Sequence, residues 1–148
     1  LVSFYNTLYK SSGSNQHGIM ERGQVRMGAT PWSDPELYRS QSPVHQAEGI
    51  QTPFMILHGT EDGAVDYIEG LSYYNAARRL AQEVVLLSYP GEGHHLSNRA
   101  NQKDFQIRMK QYFDHYLMDE PAPEWMTDGV PFLEKEYHSV IKKEEKKK

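Results

Sequence analysis

Cysteine is absent from the 148 residues, which excludes disulfides, thiol nucleophiles and cysteine-ligated metal sites. Its absence leaves the cellular compartment open, because proteins of the cytosol and of the periplasm can both do without disulfides. Long apolar runs are missing too, and none approaches the roughly 20 residues that a membrane-spanning helix requires. The sequence therefore predicts no membrane span in this segment, and it leaves the localisation unassigned.

A strong charge of one sign is also lacking. Lys and Arg number 16 against 20 Asp and Glu, and the net charge of -4 offers no extended basic surface for nucleic acid. Five of the basic residues fall within residues 142–148, a block typical of a solvated tail, with polybasic docking as the weaker alternative. The length suits one domain with a sizeable core.

Two short apolar runs, at residues 52–57 and 84–89, have the length of buried β-strands, and each is followed at once by turn residues. Between them, apolar side chains recur every three or four positions over residues 67–82, which predicts an amphipathic helix packed on a sheet. A strand, a helix and a second strand in this order form a β-α-β unit with parallel strands. The sequence thus predicts an α/β fold, a parallel sheet flanked by helices.

Further helices are predicted on either side of this unit. A short helix is expected near residues 20–26. Asp34 as N-cap and Pro35 at the first helical position start a second helix, and a third start follows at Ser42. The last helix covers residues 100–117, where large apolar side chains share one broad face.

A titratable side chain follows each predicted strand: Asp62 comes after the first and His94 after the second. In open α/β sheets, functional groups gather on loops beyond the carboxyl ends of the strands. A carboxylate there can accept from Nδ1–H of an imidazole and stabilise the imidazolium that forms when Nε2 takes a proton. Asp62 and His94 are therefore candidates for the acid and the base of a catalytic triad.

Asp62 also has a structural alternative, because Asp after a strand is a common turn residue or helix cap. A better cap lies nearby, however. Asp66 and Glu69 form a capping-box pattern, with a side-chain acceptor and a Glu three residues later. The helix can therefore begin at Tyr67 without Asp62.

The remaining histidines near these strand ends have alternatives of their own. His58 ends the first strand, and a catalytic role for it is the weaker interpretation, because the triad spacing already uses His94. His94, His95 and Glu92 have the side chains of zinc ligands. Adjacent histidines seldom converge on one ion, and no third ligand stands nearby at the spacing of a helical H-E-x-x-H. We therefore predict no metal and no cofactor.

The sequences HGTEDGAV at residues 58–65 and YPGEGH at residues 89–94 resemble the end of the catalytic domain of prolyl oligopeptidase family serine peptidases. The dipeptidyl-peptidase and acylaminoacyl-peptidase branches are the most similar, and the resemblance extends over roughly residues 4–126. In that family, the Asp of H-G-x-x-D-x-x-V and the His of a later G-x-G-H loop are the triad acid and base. The resemblance therefore assigns these roles to Asp62 and His94.

The same resemblance implies an α/β-hydrolase fold of which this chain holds the C-terminal portion, incomplete at the N-terminus. The family carries its nucleophile on a G-x-S-x-G elbow, and no such pattern occurs in the chain. In the family the elbow precedes the acid, so we expect the serine and the oxyanion donors upstream of Leu1. The family also generally pairs this domain with an N-terminal β-propeller, which is expected as a partner here.

Domain boundaries follow from the prolines at positions 121 and 123, which cannot continue the last helix. We expect residues 1–118 to be the C-terminal part of the catalytic domain and residues 119–148 to be an extension with a charged tail. Trp125 is expected to clamp this extension to the body of the protein. Two clear strands leave sheet edges exposed, which predicts marginal stability of the chain alone or pairing between copies, and leaves a homo-oligomer open.

The resemblance implies a serine peptidase that carries out proteolysis on oligopeptides. An esterase or lipase of the same fold and a non-catalytic interaction module are the alternatives, because a fold does not fix its chemistry. The isolated chain is expected to be inactive, since loss of the nucleophile can cost about 10⁶ in kcat. Substrate specificity, and the choice between exo and endo cleavage, are left undetermined.

Overall fold

A computed structural model describes residues 2–130 of the chain. The predicted charged tail at residues 142–148, and the last part of the predicted extension, lie outside the described residues. The chain divides into two units, Leu1–His95 and Leu96–Lys148. Within residues 2–130, no helix has the length and apolar character needed to cross a membrane.

The first unit holds the sheet and three α-helices. Its elements are α1 (His17–Glu21), α2 (Pro35–Gln41), β1 (Phe54–Gly59), α3 (Tyr67–Arg79) and β2 (Val84–Tyr89), with 3₁₀ segments at Asn6–Leu8 and Pro43–Gly49. The second unit holds α4 (Arg99–Met118) and α5 (Glu124–Thr127).

Strands β1 and β2 pair in parallel, with Phe54 opposite Val84 and Gly59 opposite Tyr89. Helix α3 connects them and packs against both strands and the second 3₁₀ segment. The predicted β-α-β unit is confirmed. Strand β1 runs two residues further than the apolar run, because the ladder continues through Gly59 and the N–H of Thr60 still donates to the Tyr89 carbonyl.

The start of α2 is confirmed at Asp34, whose Oδ1 accepts from the N–H of Leu37 at 2.9 Å. The third predicted start forms a 3₁₀ segment instead, without a side-chain cap from Ser42. The hydroxyl of Ser42 bonds elsewhere, donating to the Tyr38 carbonyl and accepting from the N–H of Phe4. The hydroxyl thus bonds the end of α2 and the N-terminal segment instead of the 3₁₀ segment.

Helix α3 begins at Tyr67 as predicted, but the capping box is wrong. Neither of its side chains bonds back to the helix start. The carboxylate of Asp66 accepts from the N–H of Ser11, and Glu69 accepts from backbone N–H groups of residues 2 and 3. Both carboxylates therefore hold the N-terminal segment of the chain on α3.

Three buried side chains of the first unit, Leu8, Met20 and Tyr38, form a hydrophobic cluster. Helix α1, which carries Met20, spans His17–Glu21 and overlaps the predicted range of 20–26 only at its last two residues. After it the chain turns back, so that the N–H of Met27 donates to the Met20 carbonyl at 2.9 Å. This return is incompatible with a continued helix.

In the second unit, Trp125 attaches α5 to α4. Its Nε1–H donates to Oε1 of Gln111 at 2.8 Å, and its ring lies 5.1 Å from the guanidinium carbon of Arg108. Arg108 is buried and donates from Nε to Oδ2 of Asp104 at 2.8 Å. The expected clamp is thus a cation–π contact with a hydrogen bond beside it.

Candidate active site

Two loops follow the carboxyl ends of the parallel strands: the first loop (residues 60–66) after β1 and the second loop (residues 90–95) after β2. The N–H of Glu61 donates to the Glu92 carbonyl at 2.9 Å, and the N–H of Gly91 donates to Oγ1 of Thr60 at 2.9 Å. Because the strands end side by side, these bonds continue the pairing beyond the sheet and hold the two loops together.

Asp62 on the first loop and His94 on the second are in direct contact. Nδ1 of His94 lies 2.9 Å from Oδ2 and 3.2 Å from Oδ1 of Asp62. The Asp62 side chain is 5% exposed, whereas the His94 side chain is 51% exposed. The structure thus brings together the two residues that the sequence singled out, with the carboxylate inside and the imidazole facing outward.

Backbone amides fix the carboxylate of Asp62. Its Oδ1 accepts from the N–H of Ala64 at 2.8 Å and from the N–H of Val65 at 2.9 Å, so the loop turns around the side chain. Burial raises the pKa of Asp62, but the hydrogen bonds from Val65, His94 and Ala64 outweigh it and hold the pKa below its ordinary value. Asp62 is therefore ionised at neutral pH.

The ionised state of Asp62 settles the tautomer of His94. A carboxylate can only accept, so the proton between the two residues sits on Nδ1 of the imidazole. In neutral imidazole the other nitrogen, Nε2, then has a free lone pair. With half of the His94 side chain exposed, that lone pair is available to take a proton from an incoming hydroxyl.

His58 lies against the same carboxylate from within the protein. It is buried at the end of β1, with Nε2 3.0 Å from the Val65 carbonyl and 3.3 Å from Oδ2 of Asp62. The sequence placed His58 near the site but did not predict this contact. The one hint in the sequence was the glycine at position 70, inside the predicted helix. A Cβ at this position would lie 2.4 Å from Nδ1 of His58, so the glycine leaves room for the ring.

His95 is exposed beside His94, and the centroids of the two rings are 5.0 Å apart. Residues 2–130 contain no group of three or more His, Asp or Glu side chains that could hold a metal ion. The whole sequence lacks the G-x-S-x-G pattern. Among the described residues, the arrangement is therefore a carboxylate paired with an imidazole.

Residues 2–120 match the sequence profile of the Prolyl oligopeptidase family. The chain belongs to this family. Among curated relatives, the uncharacterized peptidase YuxL of Bacillus subtilis is 26% identical over 108 residues, which are 68% of this chain and 16% of that protein. The acylamino-acid-releasing enzyme of Mus musculus is 37% identical over 57 residues, 38% of this chain and 8% of the enzyme. The chain thus spans less than a fifth of these relatives.

Solved structures share the fold. An acylaminoacyl peptidase in complex with Z-Gly-Gly-Phe-chloromethyl ketone superposes with a TM-score of 0.59 at 21% identity, over 76% of this chain and 18% of that one. The esterase 2 of Thermogutta terrifontis, phosphonylated by sarin, gives a TM-score of 0.51 at 18% identity, over 74% of this chain and 40% of the esterase. The predicted fold class is confirmed: the chain forms part of an α/β-hydrolase fold in a family of serine peptidases.

Proposed function

We propose that the complete protein is a serine peptidase, and that Asp62 and His94 are the acid and the base of its Ser-His-Asp triad. The observation that carries the proposal is the contact of 2.9 Å between Oδ2 of Asp62 and Nδ1 of His94, in which a buried carboxylate meets a half-exposed imidazole. This is the arrangement in which the acid orients the base without itself meeting the substrate. The serine lies upstream of Leu1 in this proposal.

The proposed chemistry runs through the free nitrogen of His94. Nε2 takes the proton from the serine hydroxyl as the oxygen attacks the peptide carbonyl carbon, and a tetrahedral intermediate forms. The imidazolium then gives this proton to the leaving amine as the C–N bond breaks. Water hydrolyses the acyl-enzyme in the same way, with His94 as base again. Throughout, Asp62 stays ionised and stabilises the imidazolium.

The names of the relatives support a peptide substrate. Two groups of them are named as an acylamino-acid-releasing enzyme and an acylaminoacyl peptidase. In the proposed organisation, residues 1–118 complete a catalytic domain that begins upstream, residues 119–148 extend it, and an N-terminal β-propeller restricts access to oligopeptides. The esterase among the structural neighbours shares the fold alone, so hydrolysis of esters has to be measured beside hydrolysis of amides.

Fluorophosphonate labelling of the complete natural protein tests the proposal. The labelled residue is located by mass spectrometry in the wild type, in His94→Ala and in His95→Ala as the matched control. We expect one labelled serine upstream of Leu1, loss of labelling in His94→Ala, and wild-type labelling in His95→Ala, because Nδ1 of His94 bonds the Asp62 carboxylate and His95 does not. A folded protein in which no serine reacts, or in which His94→Ala labels normally, would contradict the triad.

Substrate class is tested on the same preparations with a peptide anilide and with a matched ester. We expect the anilide to be cleaved, whereas turnover of the ester alone would favour an esterase. The 148-residue chain by itself should give no turnover above background, because the proposed nucleophile is elsewhere. Hydrolysis of the anilide by this chain that disappears in His94→Ala would place the nucleophile within it.

A further inference from the structure

His58 is a buried histidine that the proposed triad does not use. Its buried ring and the exposed imidazole of His94 both approach Oδ2 of the Asp62 carboxylate. Nε2 of His58 is 3.0 Å from the carbonyl oxygen of Val65 and 3.3 Å from Oδ2 of Asp62. Nε2 of His58 is therefore close to both a backbone carbonyl of the first loop and the carboxylate that this loop carries.

The partners of Nε2 define the proton on this ring. A carbonyl oxygen can only accept, so Nε2 of His58 carries a hydrogen and donates it to Val65. Val65 also bonds Asp62, because its backbone N–H donates to Oδ1 of that residue at 2.9 Å. His58 thus fixes the carbonyl of Val65, and the N–H of Val65 in turn fixes the carboxylate of Asp62.

Helix α3 leaves room for the His58 ring. Gly70 is buried in the helix interior, where glycine normally destabilises a helix relative to alanine. A Cβ at this position would lie 2.4 Å from Nδ1 and 3.3 Å from Cγ of His58. The ring also packs on Tyr67 in a T-shaped arrangement, with the ring centroids 5.5 Å apart. The space for the imidazole is therefore built by two residues of α3.

We propose that His58 is a positioning residue of the peptidase site, which fixes the first loop and the Asp62 carboxylate so that Nδ1 of His94 is held in its reactive orientation. This inference rests on the proposed function, since it gives His58 a role through the acid and the base. Without the donor at Nε2, the Val65 carbonyl loses its partner and the carboxylate can turn away from His94. A displacement of about 1 Å in such a site can cost about 100-fold in rate.

Variants of the complete natural protein test the proposal. His58→Leu removes the donor, whereas His58→Gln can place an amide N–H near the position of Nε2. Gly70→Ala displaces the ring without changing any polar group. Gly18→Ala is the matched control, a glycine in α1 where a Cβ would meet nothing within 4 Å.

Each preparation is titrated to completion with the fluorophosphonate, and kcat with a peptide anilide is expressed per reactive serine. We expect His58→Leu and Gly70→Ala to lower kcat by up to about 100-fold with little change in KM. His58→Gln should recover most of the loss, and Gly18→Ala should match the wild type. A role in stability alone would reduce the number of reactive serines and leave kcat per serine unchanged.

The proposal is overturned if His58→Leu keeps the wild-type kcat per reactive serine, or if His58→Gln is as slow as His58→Leu. Should His58→Leu yield no reactive serine at all, Gly70→Ala decides, because wild-type kcat in that variant contradicts the positioning role. His94→Ala in the same assay distinguishes a failure of the proposed triad from a failure of the proposed role of His58. Normal labelling of His94→Ala refutes the triad, whereas loss of labelling there with unaffected His58 variants refutes only the role of His58.

Discussion

Gly59 lies against the backbone of Glu92 so closely that a Cβ added to it would be 2.3 Å from the Glu92 carbonyl oxygen. Gly59 is the last residue of β1, and Glu92 lies in the second loop. Real Cβ atoms do not approach backbone oxygen to this distance, so the two loops can meet only if the first strand ends in glycine. The contact between Asp62 and His94 depends on this approach.

Gly59→Ala is therefore expected to separate the loops. We expect it to lower the free energy of unfolding by about 1–3 kcal/mol, as overpacking does, and to slow fluorophosphonate labelling of the complete protein. The matched control is Gly63→Ala in the first loop, where a Cβ would meet nothing within 4 Å. Equal denaturant midpoints and labelling rates for the two variants would show that the close approach does not matter.

Asp62 should make stability depend on pH in a defined direction. Its pKa is below the ordinary value in the folded protein, because hydrogen bonds from Val65, His94 and Ala64 outweigh the effect of burial. The folded state therefore binds fewer protons than the unfolded state near this pKa. The stabilisation is complete above the unfolded-state pKa of about 4 and is lost as the pH falls through the lower folded-state pKa.

Denaturant titrations of wild type and Asp62→Asn, from about pH 6 down to about pH 2, measure this contribution. We expect the wild type to be the more stable protein at the upper end, and the difference to shrink as the pH falls. A difference that stays constant over the whole range would mean that ionised Asp62 does not stabilise the fold.

Glu69 should anchor the N-terminal segment. Its buried Oε2 accepts from the N–H of Val2 at 2.7 Å and from the N–H of Ser3 at 2.9 Å. Hydrogen bonds to a charged group contribute about 1.5–3 kcal/mol each, against about 0.5–1.5 kcal/mol for neutral ones. We therefore expect Glu69→Gln to destabilise the protein by about 1–2 kcal/mol and to speed amide hydrogen exchange at positions 2 and 3.

The control for this change is Glu48→Gln, at an exposed position, which should leave both stability and exchange unaltered. Protection at residues 2 and 3 that survives Glu69→Gln unchanged would show that other contacts hold the segment.

The sequence was sufficient to predict the strands, their parallel pairing and the meeting of Asp62 with His94. Each depends on local patterns: an apolar run fixes the strand, the strand end fixes where the loop begins, and a β-α-β connection fixes the direction. These three steps bring the two loops together, and the family resemblance then selects Asp62 and His94 within them.

The contacts that the sequence did not reveal are non-local. Glu69 matched a capping box, yet it accepts hydrogen bonds from Val2 and Ser3, which are 67 and 66 positions away in the chain. Local spacing carries no information about such distant partners. His58 looked like a strand end, and its role depends on the space left by Gly70, which a helical pattern alone marks only as an unfavourable residue. Local rules fail at these positions because tertiary contacts override them.

The value of kcat for peptide hydrolysis by Asp62→Asn decides the catalytic roles proposed for Asp62 and His94. Asp66→Asn is the matched control, an aspartate of the same loop whose carboxylate contacts Ser11. An amide at position 62 no longer imposes the Nδ1–H tautomer on His94, so we expect kcat of the complete protein to fall by about 10⁴. Asp66→Asn should keep kcat within about tenfold of wild type. An Asp62→Asn protein that is folded and as active as Asp66→Asn would contradict the triad.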